Sequence, residues 1–147
     1  MLIDLLSDEK IQVVDKVKSW EEGVEITATP LLKKNYITIQ YLRSMLDDVK
    51  ELGPYINIAP GIIMPHSRPE NGVLQSGMSI LKINNGIPFI NNEKIYLVIM
   101  LALIDDKSHL NYMSQLATLL MDETKREELL AVTNVNDLKK VLTKVEK

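Results

Sequence analysis

Along this chain, hydrophobic and polar positions recur with a helical period at both ends and a strand-like period in the middle. Residues 11–15 (IQVVD) read as a short strand. Ser19 then opens a helix, and Glu22, three residues on, completes a capping box that satisfies two amides the first turn leaves unpaired. Val24, Ala28, Leu31 and Leu32 fall on one face of that helix. Pro30 lies inside it and predicts a kink or an early break, because proline lacks an amide hydrogen and crowds the preceding turn. Thr38 is the next cap, and Ile39, Leu42, Met45, Leu46 and Val49 keep the helical period up to Gly53-Pro54.

The period then changes. Residues 56–60 and 62–64 are short apolar segments. Residues 78–83 and 87–90 flank Asn84-Asn85-Gly86, whose Asn-Gly step predicts a tight hairpin. Residues 95–104 are apolar on both faces, as a strand buried in mid-sheet should be. Three helices close the chain. Leu110, Met113, Leu116, Ala117 and Leu120 mark the first, residues 122–131 the second, and residues 134–144, with Leu138, Val141 and Leu142 inward, the third. Helices, then strands, then helices predict an α/β fold with a mixed central sheet sandwiched between helices.

Composition narrows the chemistry. At 147 residues, with 46% hydrophobic and 25% charged, the chain suits one domain over residues 1–147. No segment reads as a targeting sequence, and the longest apolar run, residues 95–104, falls short of the roughly 18–20 residues that span a bilayer. A soluble, cytoplasmic protein is expected. With 17 basic against 20 acidic residues, the net charge of −3 argues against nucleic acid as a partner. There is no cysteine, which excludes disulfides, thiolate metal sites and cysteine nucleophiles. Only His66 and His109 can supply imidazole chemistry. With so few nitrogen and sulfur ligands, no metal and no cofactor is expected.

The segment 60–72 (PGIIMPHSRPENG) concentrates what reactive chemistry there is. Pro60-Gly61 turns into three apolar residues that enter the sheet, and His66 emerges at the strand's end, where sheet proteins place reactive groups. Pro65 and Pro69 stiffen the backbone around it. Ser67 offers a hydroxyl and an amide, and Arg68 a fork of donors suited to phosphate oxygens. Imidazole, hydroxyl and guanidinium together make a phosphoryl-accepting site. Local composition alone fits a plain loop histidine equally well. His109 follows Ser108 at the expected start of a helix, where unpaired amides favour an anion; a capping-region histidine without a role is the alternative there. The pairs Asp47-Asp48, Asp105-Asp106 and Glu127-Glu128 read as solvated faces.

Three features together resemble a known family: segment 60–72, the helix of Tyr41 followed by Gly53-Pro54-Tyr55, and Asp105 to Leu110 with Gln115-Leu116-Ala117. The chain resembles an enzyme IIA domain of the mannitol/fructose superfamily of the bacterial sugar phosphotransferase system, and within it the ascorbate-type branch. The resemblance implies that fold over essentially the whole chain. It implies that His66 accepts a phosphoryl group from the carrier HPr and passes it to enzyme IIB, which serves the membrane enzyme IIC in sugar uptake. It also implies that His109 is the second active-site histidine and that Arg68 and Ser67 bind the phosphoryl group. Mannitol-type members carry an arginine in the preceding helix, at a register that falls near Asp48 here; Arg68 is the substitute the resemblance suggests. Two other functions fit less of the sequence. One is a regulatory module phosphorylated at His66 but feeding no transporter, in keeping with a chain showing no fused IIB or IIC. The other is a histidine- or metal-dependent hydrolase using His66 and His109.

Overall fold

The computed structural model describes residues 8–145, with Asp8, Asp106, Ser108, His109, Lys144 and Val145 described as backbone only. Five strands form one mixed sheet: β1 (Ile11–Val14), β2 (Asn57–Ala59), β3 (Ile62–Ile63), β4 (Gly77–Pro88) and β5 (Lys94–Ala102), in the order β1-β4-β5-β3-β2. The pairs β1/β4 and β3/β5 are parallel, and β4/β5 and β2/β3 are antiparallel. The expected mid-sheet strand is β5. The helices are α1 (Trp20–Lys33), α2 (Ile39–Leu52), α3 (Asp106–Met121), α4 (Glu123–Ala131) and α5 (Val135–Val145).

Alternation along the strands makes two cores, one on each side of the sheet. Leu81, Ile83, Met100 and Ala102 face α1 and α2 with Val24, Leu31, Met45 and Val49. Ile80, Leu97, Ile99 and Leu101 face the carboxy-terminal helices with Leu116, Leu120, Leu129 and Leu138. The α/β sandwich read from the sequence is the fold. Among the described residues, no helix is long and apolar enough to cross a membrane.

Local chemistry explains where expectation and structure part. Ser19 caps α1 by accepting from the Glu22 amide at 3.1 Å, but the Glu22 carboxylate reaches the Lys18 amide at 3.0 Å, one residue beyond the cap. Pro30 does not break α1, which continues to Lys33. The carbonyl that Pro30 leaves without a helical donor is that of Ile26, four residues earlier, and the Gln12 side chain of β1 donates to it at 2.9 Å. In α2, Tyr41 joins Leu42, Met45 and Val49 on the buried face, whereas Ile39 is 52% exposed. In α3, Leu119 joins Leu116 and Leu120 inside while Leu110 is 71% exposed.

The hairpin expected at Asn84-Asn85-Gly86 does not exist. β4 runs unbroken through these residues, and the register steps from Lys82↔Leu97 to Ile87↔Ile95, a bulge. Tertiary partners hold the bulge open. Asn84 donates to the Asp15 carboxylate at 3.1 Å and to the Thr133 carbonyl at 3.3 Å, and the Asn85 amide donates to the Asp15 carbonyl at 2.8 Å. The chain reverses after β4 instead, where the Phe89 amide donates to the Glu93 carbonyl at 2.9 Å and Asn92 takes φ 64°. The Asn91 side chain accepts from the Glu93 amide at 3.0 Å, an Asx turn.

Candidate functional site

The site grows from the short pairing of β3 with β5. The Tyr96 and Leu97 amides donate to the Gly61 carbonyl at 2.8 and 3.1 Å, and the Leu101 amide donates to the Pro65 carbonyl at 3.3 Å. Residues 61–65 are thereby laid along β5, and His66 leaves the sheet at the carboxy-terminal end of this parallel pair. α3 starts just beyond that end of β5, so His109, in its first turn, has its backbone at the same end of the sheet. Crevices at the carboxy-terminal ends of strands are where α/β proteins bind ligands.

His66 is half-buried, and its Nδ1 lies 2.9 Å from the Met64 carbonyl oxygen. A carbonyl can only accept, so Nδ1 carries the hydrogen and the neutral ring has its lone pair on Nε2. The Tyr55 ring packs edge-on against the imidazole, with centroids 5.9 Å apart and planes at 77°. One nitrogen is thus fixed as donor and the ring orientation is held from two sides, so Nε2 is the ring nitrogen that carries the lone pair.

Ser67 is tied down on all its polar atoms. Its amide donates to the Tyr41 hydroxyl at 3.1 Å, and that hydroxyl donates to the Leu101 carbonyl at 2.9 Å, with the Ser67 carbonyl a second acceptor at 3.2 Å. The Ser67 hydroxyl donates to Asp48 Oδ2 at 3.2 Å and accepts from the Asn71 side chain at 2.9 Å. The residues on either side of His66 are therefore anchored, directly or through Tyr41, to one residue of β5. Burial pushes the Tyr41 hydroxyl up to about 12; its bond to the Ser67 backbone pulls the other way, and the charges of Tyr55 and Asp48 add to the rise. Tyr55 is also raised, first by burial and then by Asp48.

Arg68 points elsewhere. Its side chain is 84% exposed and meets Glu70 at 4.0 Å, an exposed pair of little energetic consequence. Beyond it, Pro69–Asn71 form a 3-10 turn that closes against the start of α2, where the Thr38 amide donates to the Gly72 carbonyl at 2.9 Å. Gly72 has φ 140°, and a Cβ there would collide with the Thr38 hydroxyl. Among the described residues, no group of three or more potential metal ligands gathers.

The structure brings Ser67 to His66, leaves Arg68 at the rim and puts the His109 backbone at the same sheet end. Three participants went unread as chemistry in the sequence: Tyr41, Tyr55 and Asp48. Tyr41 had a signal, because it sits at the i, i+4, i+8 positions of the buried face with Met45 and Val49 and carries a polar tip that must find a partner. Asp48 had no signal beyond the family's arginine register that falls near it, since its neighbour Asp47 is exposed as expected and only the fold separates the two.

Comparison with known proteins gives one consistent set. The family described as "Phosphoenolpyruvate-dependent sugar phosphotransferase system, EIIA 2" matches residues 4–145. The chain is 35% identical over 144 residues to the mannitol-specific cryptic phosphotransferase enzyme IIA component of Escherichia coli (strain K12), covering 97% of this chain and 98% of that protein. It is 32% identical over 134 residues to the ascorbate-specific PTS system EIIA component of the same strain, covering 88% and 87%. Among solved structures, the solution structure of the cryptic mannitol enzyme IIA from Escherichia coli superposes with a TM-score of 0.91 at 35% identity, over 97% of this chain and 98% of that one. The Escherichia coli complex of enzyme IIAMTL with phosphorylated enzyme IIBMTL matches with a TM-score of 0.79 at 25% identity, over 95% and 97%.

Proposed function

Because the chain belongs to the EIIA 2 family of the phosphoenolpyruvate-dependent sugar phosphotransferase system, we propose that it is a phosphoryl carrier whose acceptor is His66 Nε2, loaded by phospho-HPr and unloaded by an enzyme IIB. The observation that carries this reading is the 2.9 Å contact of Nδ1 with the Met64 carbonyl, which leaves Nε2 as the basic nitrogen. In the loading step the Nε2 lone pair attacks phosphorus in line. The phosphorus–nitrogen bond of the donor breaks, and its electron pair returns to the donor imidazole. The His66 ring gains positive character as the new bond forms, and the Nδ1–H bond to the Met64 carbonyl strengthens with it. Transfer to IIB runs the same step in the opposite sense for His66.

The surroundings are assigned on the same reading. His109 is assigned as the second active-site histidine, and the first-turn amides of α3 offer donors and positive potential beyond the carboxy-terminal end of β5. Arg68, long and held only by an exposed pair with Glu70, covers the phosphoryl oxygens from the rim. The Ser67 side chain and amide serve chiefly to hold the strap, because both are engaged within the protein. Partner chemistry is supported by the solved complex of a related enzyme IIA with phosphorylated IIB. The relatives named for mannitol and for ascorbate support uptake of an ascorbate-like or mannitol/fructose-like substrate, with enzyme IIC as the indirect partner.

The test is to incubate the protein with phosphoenolpyruvate, enzyme I and HPr and look for acid-labile, base-stable phosphate. Labelling of the wild type and its loss in His66→Ala are expected. An unlabelled wild type, or full labelling of His66→Ala, overturns the assignment. Passage of the label to a purified IIB then separates a transport role from a purely regulatory one.

A further inference from the structure

One of the hydrogen bonds that radiate from the His66 strap ends on a carboxylate. Ser67, the residue after His66, gives its hydroxyl hydrogen to Asp48 Oδ2 at 3.2 Å. Asn71 donates to the same hydroxyl at 2.9 Å, so its orientation is fixed. Asp48 is half-buried on α2, facing the strap, whereas Asp47 beside it in sequence is exposed. The Asp48 charge acts on both tyrosines that frame the site, Tyr41 and Tyr55, and the Tyr55 ring lies against the imidazole with centroids 5.9 Å apart. The nearby cation, Arg68, is turned to Glu70. A site built to store a phosphate gathers cations and uncommitted donors around it. This one commits the donors of Ser67 elsewhere and sets a negative charge behind its hydroxyl.

We propose that Asp48 sets the lifetime of the phosphoryl group on His66, its negative charge keeping the phosphohistidine poised for departure. The inference rests on the carrier function assigned above. The carboxylate repels the phosphoryl oxygens in the loaded state, and the repulsion eases as phosphorus moves away through a loose transition state. In loss to water, the water oxygen bonds to phosphorus and the bond to Nε2 breaks with its electron pair returning to the ring. The protons of water pass to the phosphate product and solvent. Transfer to a partner histidine or cysteine is relieved by the same charge, so Asp48 also shifts the phosphoryl equilibrium with HPr toward HPr.

Asp48 acts through Ser67 and through space, so it is a positioning and electrostatic residue, and the test must read more than stability. Wild type, Asp48→Asn and Asp47→Asn are labelled from phospho-HPr with radioactive phosphate and separated from the donor. The half-life of the label and the equilibrium with HPr are then measured at neutral pH. Asparagine keeps an oxygen to accept from Ser67, so the strap is retained and only the charge is lost. Asp47→Asn makes the same change in net charge on the exposed face. The expected result is a half-life about three- to tenfold longer in Asp48→Asn, the effect of one unit charge across a partly wet gap. The HPr equilibrium should shift toward the loaded protein by a similar factor, with Asp47→Asn close to wild type. A half-life in Asp48→Asn equal to or shorter than that of wild type overturns the inference alone. Failure of the wild type to take label overturns the carrier function and the inference with it, so the two failures are told apart.

Discussion

Tyr41→Phe removes one oxygen atom and tests most of the site's construction at once. Tyr41 is 1% exposed, and its hydroxyl accepts from the Ser67 amide and donates to the Leu101 carbonyl. Phenylalanine fills the same space and leaves both backbone groups without that partner. A buried donor left unsatisfied costs about 1–3 kcal/mol, and a carbonyl with a second lone pair costs less, so the variant should lose about 2–3 kcal/mol. For a chain of this size that lowers the melting midpoint by about 4–12 °C. The pH dependence follows from the same atom. Burial first, with the charges of Tyr55 and Asp48 adding, raises the hydroxyl from 10.0 to about 12 in the folded protein. A group whose folded value is raised contributes its stability in full below the unfolded value and loses it as pH climbs through the folded one. The Tyr41 contribution is therefore intact below pH 10 and disappears toward pH 12, an amplitude of about 2–3 kcal/mol. Urea unfolding followed by Trp20, which is buried edge-on against Phe89 at 5.2 Å, supplies the assay. Subtracting the variant from the wild type cancels the other tyrosines and the lysines. The difference should stand at about 2–3 kcal/mol at pH 8 and shrink across pH 10–12. A difference under about 0.5 kcal/mol at pH 8, or one that stays constant to pH 12, refutes the hydroxyl as the anchor of the strap.

Two further substitutions test the scaffold that carries the site. Gly72→Ala puts a Cβ against the Thr38 hydroxyl at a φ of 140°, and calorimetry should show a loss of at least about 2 kcal/mol, with the His66 strap displaced from α2. Gln12→Ala leaves the Ile26 carbonyl opposite Pro30 without its side-chain donor. It should cost about 1 kcal/mol in the wild type and distinctly less in a Pro30→Ala background, where residue 30 supplies an amide; equal costs in a double-mutant cycle would contradict the compensation.

What could be read from the sequence divides along a physical line. The mid-sheet strand was legible because burial on both faces of β5 leaves no polar position from Leu97 to Ala102. The caps at Ser19 and Thr38 were legible because a side chain three residues from its amide partner is a local event. Asn84-Asn85-Gly86 misled for the converse reason. Its Asn-Gly step satisfies the local rule for a hairpin, yet the partners that hold it open are Asp15 and Thr133, 69 and 49 residues away. The early break expected at Pro30 does not occur for the same kind of reason, since the group that compensates it sits on another element. At the site, segment 60–72 announced itself by composition, while the bonds that place it join residues 26 and 60 positions apart. No local pattern records those.

The same division bears on how the site works. Several of its hydrogen bonds hold backbone around the imidazole: Pro65 to Leu101, Ser67 through Tyr41 to Leu101, and Nδ1 to Met64. Among the described groups of the strap, the Ser67 amide and hydroxyl are both engaged and Arg68 stands at the rim. An intermediate in a relay must accept and release with comparable ease, so stabilising the loaded state as such would slow the second transfer by as much as it favoured the first. Fixing the nucleophile avoids this. If His66 is the acceptor proposed above, its rigidity lowers the barrier to attack and to departure alike, because both pass through the same in-line geometry at Nε2. On the proposed carrier reading, rigidity given to the backbone and a negative charge behind the Ser67 hydroxyl are two halves of one design, and Tyr41 and Asp48 are the two residues of α2 that carry them.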